Sequence, residues 1–125
     1  MISGGKSSEG KHKTEIYSPF RDNSCRLEDM PDRRYHHSHC GALLCGGDSE
    51  GGDTETLTSC LKFQGGRWVR ASVTLVKRRT QHLCWALSEE EIMLLGGSYS
   101  YKTTEIVRAD GSQSSEAFRL QYGTW

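Results

Sequence analysis

The sequence predicts an all-β protein assembled from repeated antiparallel units of four strands, and three recurring features predict it. The first is a short apolar run ending in a glycine pair: Met1-Ile2-Ser3 before Gly4-Gly5, residues 42–45 before Gly46-Gly47, and residues 92–95 before Gly96-Gly97. The second is Arg-x-x-His ahead of that run, at Arg34 to His37 and again at Arg79 to His82. The third is a strand-like segment beyond the polar loop that follows each pair, namely residues 14–17, 58–63 and 104–107. The second glycine pair follows the first by 42 residues (47 − 5 = 42), and the third follows the second by 50 (97 − 47 = 50). Internal periods of about 20 to 50 residues mark repeat architectures.

Taken in order, residues 1–5 end a strand and residues 5–13 form a polar loop rich in Gly and Ser. Residues 15–20 read as a strand that Pro19 stops, and Asp22-Asn23 supply the side chains of a turn over 21–24. Residues 25–30 read as the last strand of the first unit. Pro31 marks the crossing into the next, because proline is not tolerated inside a central strand. In the second unit residues 35–40 and 42–45 are the first two strands. Residues 46–53 are a glycine-rich loop in which the chain turns sharply with φ > 0, residues 58–63 the third strand, and Gly66 to Val69, continuing to Val73 and Leu75, the fourth. In the third unit residues 79–86, rich in Thr, His, Cys and Trp, and the unbroken apolar run 92–95 fold as a hairpin around Ser88 and three glutamates. A short Tyr/Ser loop runs from Ser98 to Lys102, residues 109–116 are a turn or a longer loop, and residues 118–122 the last strand. The chain thus divides into a partial unit over 1–30 and units over 31–75 and 76–125.

These motifs resemble those of kelch-repeat proteins: the Arg-x-x-His pair, the apolar run with Gly-Gly, the third strand, and Gly-x-Trp at Gly66 to Trp68. The resemblance covers nearly the whole chain, with three copies in register. It departs in two places, since the first unit has no Trp after its third strand and the last carries Gly111-Ser112-Gln113 where Gly-x-Trp is expected. The resemblance implies antiparallel four-stranded blades of a kelch-type β-propeller. The ring is incomplete, because propellers close with about four to eight blades, so the remainder of a larger propeller is implied. It further implies that His37 and His82 are repeat histidines of innermost strands, hydrogen-bonded to backbone of the adjoining unit, with His36 and His39 incidental. Trp68 then fills the space between blades, Trp85 on the next innermost strand belongs to the core, and Arg79 serves the repeat while the rest of Lys77-Arg78-Arg79 is an exposed turn.

Five cysteines, Cys25, Cys40, Cys45, Cys60 and Cys84, leave at least one unpaired within the chain. Cys45 and Cys60 fall on neighbouring antiparallel strands, close enough for a disulfide, which would point to an oxidising compartment. The competing reading is that all are small buried thiols. Cys25 falls in an outermost strand and Cys40 and Cys84 in innermost ones, and the sequence does not pair them.

Charge and composition narrow the function. Lysine plus arginine and aspartate plus glutamate number 16 each, so the basic footprint of a nucleic-acid binder is missing. No stretch approaches the roughly 18 apolar residues of a membrane span. The run from Tyr35 to Cys40, YHHSHC, carries metal-ligand types in His37, His39 and Cys40, but zinc sites pair their ligands at both ends of a loop and the second pair is absent. The loop GGDSEGGD over 46–53 holds three acids among four glycines without the ligand order of an EF-hand. Glu89, Glu90 and Glu91 read as a solvated turn.

No catalytic, cofactor-binding or metal residue is therefore assigned. The function expected from the resemblance is non-catalytic: a propeller segment mediating protein–protein interaction through loops gathered on one face, with the loops from Asp48 to Asp53 and from Ser98 to Lys102 as candidate contacts. The alternatives are an extracellular, disulfide-stabilised binding module and a fragment of a galactose oxidase-like enzyme.

Overall fold

The computed structural model describes residues 1–4, 13–49 and 56–122, and among them every regular element is a β-strand. In chain order these are β1 (Ile2–Ser3), β2 (Thr14–Ser18), β3 (Asn23–Arg26) and β4 (Arg34–Tyr35). Next come β5 (Ser38–Cys40), β6 (Leu43–Cys45), β7 (Asp48–Ser49), β8 (Ser59–Gln64) and β9 (Arg67–Thr74). The last four are β10 (Leu83–Ala86), β11 (Glu91–Leu95), β12 (Thr103–Arg108) and β13 (Ser115–Arg119). They form a first sheet β1-β2-β3, a second β5-β6-β8-β9, a third β10-β11-β12-β13, and a separate pair β4-β7, all antiparallel and all open. No helix among the described residues is long and apolar enough to cross a membrane.

The apolar runs before the glycine pairs are continuous because β6 is buried on both faces. Leu43 and Cys45 point one way and Leu44 the other, as the two-residue period of a strand requires. Leu43 and Cys45 join Cys60, Val73 and Leu75 of the second sheet against Ile92, Leu94 and Val107 of the third. Leu44, with Leu61 and Trp68, packs instead on Met30 at the exit of the first sheet. The second sheet therefore lies between the other two and is covered on both sides. Its β8-β9 hairpin closes through Gly65 and Gly66 at φ 62° and 81°, with Gln64 paired directly to Arg67, the two-residue turn whose twist matches the flanking strands.

Two disulfides reinforce this arrangement. Cys45 and Cys60 stand directly opposite each other on β6 and β8, their Cα atoms 4.2 Å apart, near the ~4.5 Å of a non-hydrogen-bonded antiparallel pair. Cys40 on β5 is joined to Cys84 on β10 across a Cα separation of 6.1 Å, so this bridge links two sheets rather than two strands of one. Cys25 on β3 is exposed and free.

Several expectations change. Trp85 is not core: it is 67% exposed, because on β10 it points away from the second sheet while its neighbour Cys84 points toward it. Residues 79–82 lie outside the regular strand, which begins at Leu83, since Arg79 and His82 are turned into buried polar contacts instead of a ladder. The last strand runs over Ser115–Arg119 rather than 118–122, so it begins inside the expected 109–116 loop, and the fourth strand of the first unit stops at Arg26.

Candidate functional site

The loop ends of the second and third sheets are held by two copies of one buried device. Arg34 Nη1 donates to the carbonyls of Gly46 and Ser59, each at 3.1 Å, and Nη2 to the Ser59 hydroxyl at 3.1 Å. Arg79 repeats this atom for atom: Nη1 donates to the carbonyls of Gly96 and Thr103 at 2.8 and 3.0 Å, and Nη2 to the Thr103 hydroxyl at 2.9 Å. Both arginines are fully buried. A guanidinium suits the position because its rigid fork of donors is spread in one plane and stays charged. Each therefore clamps the first glycine of a pair to the start of the third strand of the same unit.

Two histidines lie at the junctions between neighbouring sheets. His37 Nε2 donates to the Ser3 carbonyl at 3.0 Å, and the His82 ring is turned toward the Cys45 backbone, so each approaches the residue just before the preceding glycine pair. His82 Nε2 also lies 2.6 Å from the Ser38 hydroxyl. Burial and then the charge of the nearby Arg34 push His37 down to about 4, and burial with Arg79 does the same to His82. Both rings are thus neutral near neutral pH.

Close approach explains the glycine pairs. A Cβ on Gly46 (φ 66°) would stand 2.6 Å from the Arg79 carbonyl oxygen and 2.9 Å from the His82 ring, and one on Gly47 (φ 88°) 2.6 Å from the Tyr35 carbonyl oxygen. The first glycine admits the next unit, and the second admits the innermost segment of its own. Backbone bonds run through the space this leaves, from Gly47 N to the Arg79 carbonyl at 2.8 Å and from Gln81 N to the His36 carbonyl at 2.9 Å.

The two loops after these glycines meet at Thr80. Asp48 is buried and accepts from Thr56 at 2.9 Å and from the Thr80 hydroxyl at 2.7 Å, with His36 Nδ1 3.3 Å away. The Thr80 backbone is at the same time bridged to Ser98. Of the candidate loop from Asp48 to Asp53, then, Asp48 is a structural tie and Ser49 lies in β7, while residues 50–53 fall outside the described residues. His36 is not incidental, since it sits beside Asp48 with φ 55°. Nor is His39, whose ring meets Trp68 edge to face at 5.5 Å. Trp68 itself donates to Thr14 of the first sheet at 2.9 Å, which places it between units. The ligand types of YHHSHC are directed to separate neighbours, with His37 on Ser3, His39 on Trp68 and Cys40 in a disulfide.

The other candidate loop, from Ser98 to Lys102, is open to solvent and firmly shaped. Ser100 is buried and donates to the Arg78 carbonyl at 3.0 Å, while Ser100 N bonds Gly97 and Thr103 N bonds Ser100. Tyr99 is held at φ 68°, and the Arg78 guanidinium lies over its ring, 4.4 Å from the centroid. Beside the loop is a concavity of about 280 Å³ lined by Lys77, Tyr99, Tyr101, Lys102 and Arg119. Lys77 and Arg78 are exposed, as their turn position predicts. Their convergence with Arg119 was hidden in the sequence, because about 40 residues separate them.

Among the described residues, the buried carboxylates and histidines are engaged by backbone, hydroxyl, guanidinium and imidazole groups, Asp48 with His36 and His82 with Ser38 among them. No protein-family model matches the chain, and no curated protein matches it.

Proposed function

We propose that the chain is a segment of a kelch-type β-propeller with a non-catalytic role, binding a protein partner through the loops that follow its glycine pairs. The observation that carries this is the duplicated tie, Arg34 with Gly46 and Ser59, Arg79 with Gly96 and Thr103. Two units built on the same clamp and joined by the same histidine contact are what a blade repeat requires, each unit stabilising its neighbour.

The uncovered face of the third sheet supports further units. By register, Leu83, Trp85, Met93 and Leu95 occupy the places of Ser38, Cys40, Leu43 and Cys45. In the second sheet three of these, Cys40, Leu43 and Cys45, pack against the third sheet. In the third, Leu83 and Trp85 are left 61% and 67% exposed. An apolar face of this kind marks an interaction surface, and a following blade would cover it as the third sheet covers the second.

Two disulfides favour the extracellular form of this function over an intracellular adaptor, because such bonds persist in oxidising compartments. The test is site-specific photo-crosslinking in extract of the source tissue, with a photoreactive residue placed at Tyr101 or, for comparison, at Phe20 on the distant turn of the first sheet. Protein adducts that form at Tyr101 and not at Phe20 are expected. Equal labelling at the two positions, or none at either, overturns the proposal.

A further inference from the structure

We propose that the concavity beside the Ser98-to-Lys102 loop takes an acidic peptide segment of the partner, an inference that rests on the binding role assigned above. Three observations converge on it. The first is charge: Lys77, Lys102 and Arg119 line the concavity and Arg78 adjoins it through Tyr99. Lys77 is paired with Glu116 at 3.0 Å, but among the described residues no carboxylate pairs with Arg78, Lys102 or Arg119. In a chain with as many acids as bases, three cations left beside one groove are a local excess, and it complements carboxylates.

The second observation is the aromatic component. Tyr99 and Tyr101 are 55% and 52% exposed, and they interleave with the cations instead of standing apart. Tyrosine contributes flat apolar contact and a polar tip at a low cost in side-chain entropy. That mixture suits a peptide, which alternates charged and apolar side chains. A sulfated glycan presents charge nearly everywhere and calls for a denser cationic surface than three unpaired side chains. Arg78, stacked on Tyr99, is oriented with its donors free to take a carboxylate, for which the guanidinium fork is matched.

The third is preorganisation. A non-glycine residue in the left-handed region costs energy and persists only where its surroundings hold it. Tyr99 is held there by the Arg78 stack and by the hydrogen bonds of Ser100 on either side. A loop already ordered pays less to bind.

The experiment measures fluorescence anisotropy of the full chain with a dye-labelled short peptide of alternating glutamate and leucine, against a lysine–leucine peptide and a heparin chain. The glutamate peptide is expected to bind, to weaken as salt rises, and to lose on the order of tenfold or more in affinity when Lys102→Glu and Arg119→Glu are combined. Tyr101→Ala should weaken it less. Arg67→Glu, an exposed site on the second sheet, should leave it unchanged, and circular dichroism melts check that each variant is folded. Absence of binding by the glutamate peptide overturns the proposal, as does binding indifferent to the charge reversal in a folded variant. Heparin binding that is tighter than the peptide's and lost on the same reversal replaces it with a polyanion surface. Should the peptide fail while Tyr101 still forms specific crosslinks, the acidic-peptide assignment falls and the binding role stands. Should both fail, both fall.

Discussion

The second and third units solve one problem with opposite choices of residue. Each must neutralise a buried arginine. In the second unit the carboxylate comes from Asp32, two residues before Arg34, which accepts from Nε and Nη2 at 2.8 Å each, and the facing position on β8 is Leu61, wholly buried. In the third unit the place two residues before Arg79 is Lys77, and the strand position corresponding to Leu61 is Glu105, which accepts from Arg79 Nε at 2.9 Å. The acid has moved from a connecting segment to the middle of a strand, and the leucine has disappeared. Glu105 also receives Val76 N at 2.5 Å, Lys77 N at 3.3 Å and the Ser114 hydroxyl at 3.1 Å, so the buried carboxylate is fully hydrogen-bonded, which a charge without water requires. What the two clamps share is their electrostatic balance, not the residue that supplies it.

Breaking that balance should give the largest effect. The Arg79–Glu105 pair is entirely buried, whereas the Asp32 side chain is 23% exposed. Glu105→Gln leaves an uncompensated interior charge and is expected to cost about 3 to 5 kcal/mol. Asp32→Asn, with water at hand, should cost about 1.5 to 3 kcal/mol, the value of a hydrogen bond to a charged group. Partial burial pushes Asp32 up, but the bonds and charge of Arg34 outweigh it and hold the carboxyl below its usual range, so the difference should narrow in acid. Transplanting the other solution, Lys77→Asp with Glu105→Leu, should recover most of the lost stability in urea unfolding. No recovery would mean that the two clamps are not interchangeable.

The disulfides sharpen the comparison differently, one lying within a sheet and the other between sheets. The Cys45–Cys60 loop spans 15 residues and the Cys40–Cys84 loop 44, so chain entropy assigns them about 3 and about 4 kcal/mol respectively. Mass analysis after alkylation should find one free thiol, Cys25, without reduction and five with it. Cys84→Ala should loosen the second sheet from the third, visible as faster hydrogen exchange at Ile92 and Leu94, while Cys60→Ala should act within the second sheet. Five free thiols in protein folded under air would contradict both bridges.

A smaller effect should come from the histidines. With folded values of about 4 against an ordinary 6.5, protonation favours the unfolded chain. The stability they confer is full above pH 6.5 and is lost as pH falls from there toward 4, by on the order of 3 kcal/mol for each ring at most. His82→Gln should flatten that slope between pH 4 and 6.5 in denaturant titrations; an unchanged slope would remove the histidine from the account.

Much of this was legible in advance because repetition multiplies a weak signal. An apolar run before Gly-Gly carries little by itself, but three spaced runs located β1, β6 and β11, and the Arg-x-x-His spacing located both clamps. Cys45 beside Cys60 on neighbouring strands was one of two open readings, and the structure bridges them. Trp85 was misplaced because composition does not reveal which face of a sheet finds a neighbour. His36 and His39 were set aside because their partners, Asp48 and Trp68, are distant in sequence or carry no motif.

By itself the sequence located most of the strands, their order along the chain and the glycine pairs at which it turns, and the family resemblance implied the histidines that reach the adjoining unit. All of these depend on local geometry and on a spacing the chain repeats. Only the tertiary structure decided that Cys40 meets Cys84, that Glu105 replaces Asp32 as the counter-charge, and that Lys77, Tyr101, Lys102 and Arg119 surround one concavity. Such relations depend on how sheets stack, and stacking is set by which faces can be buried together, a property of the assembled molecule that no single stretch of residues carries.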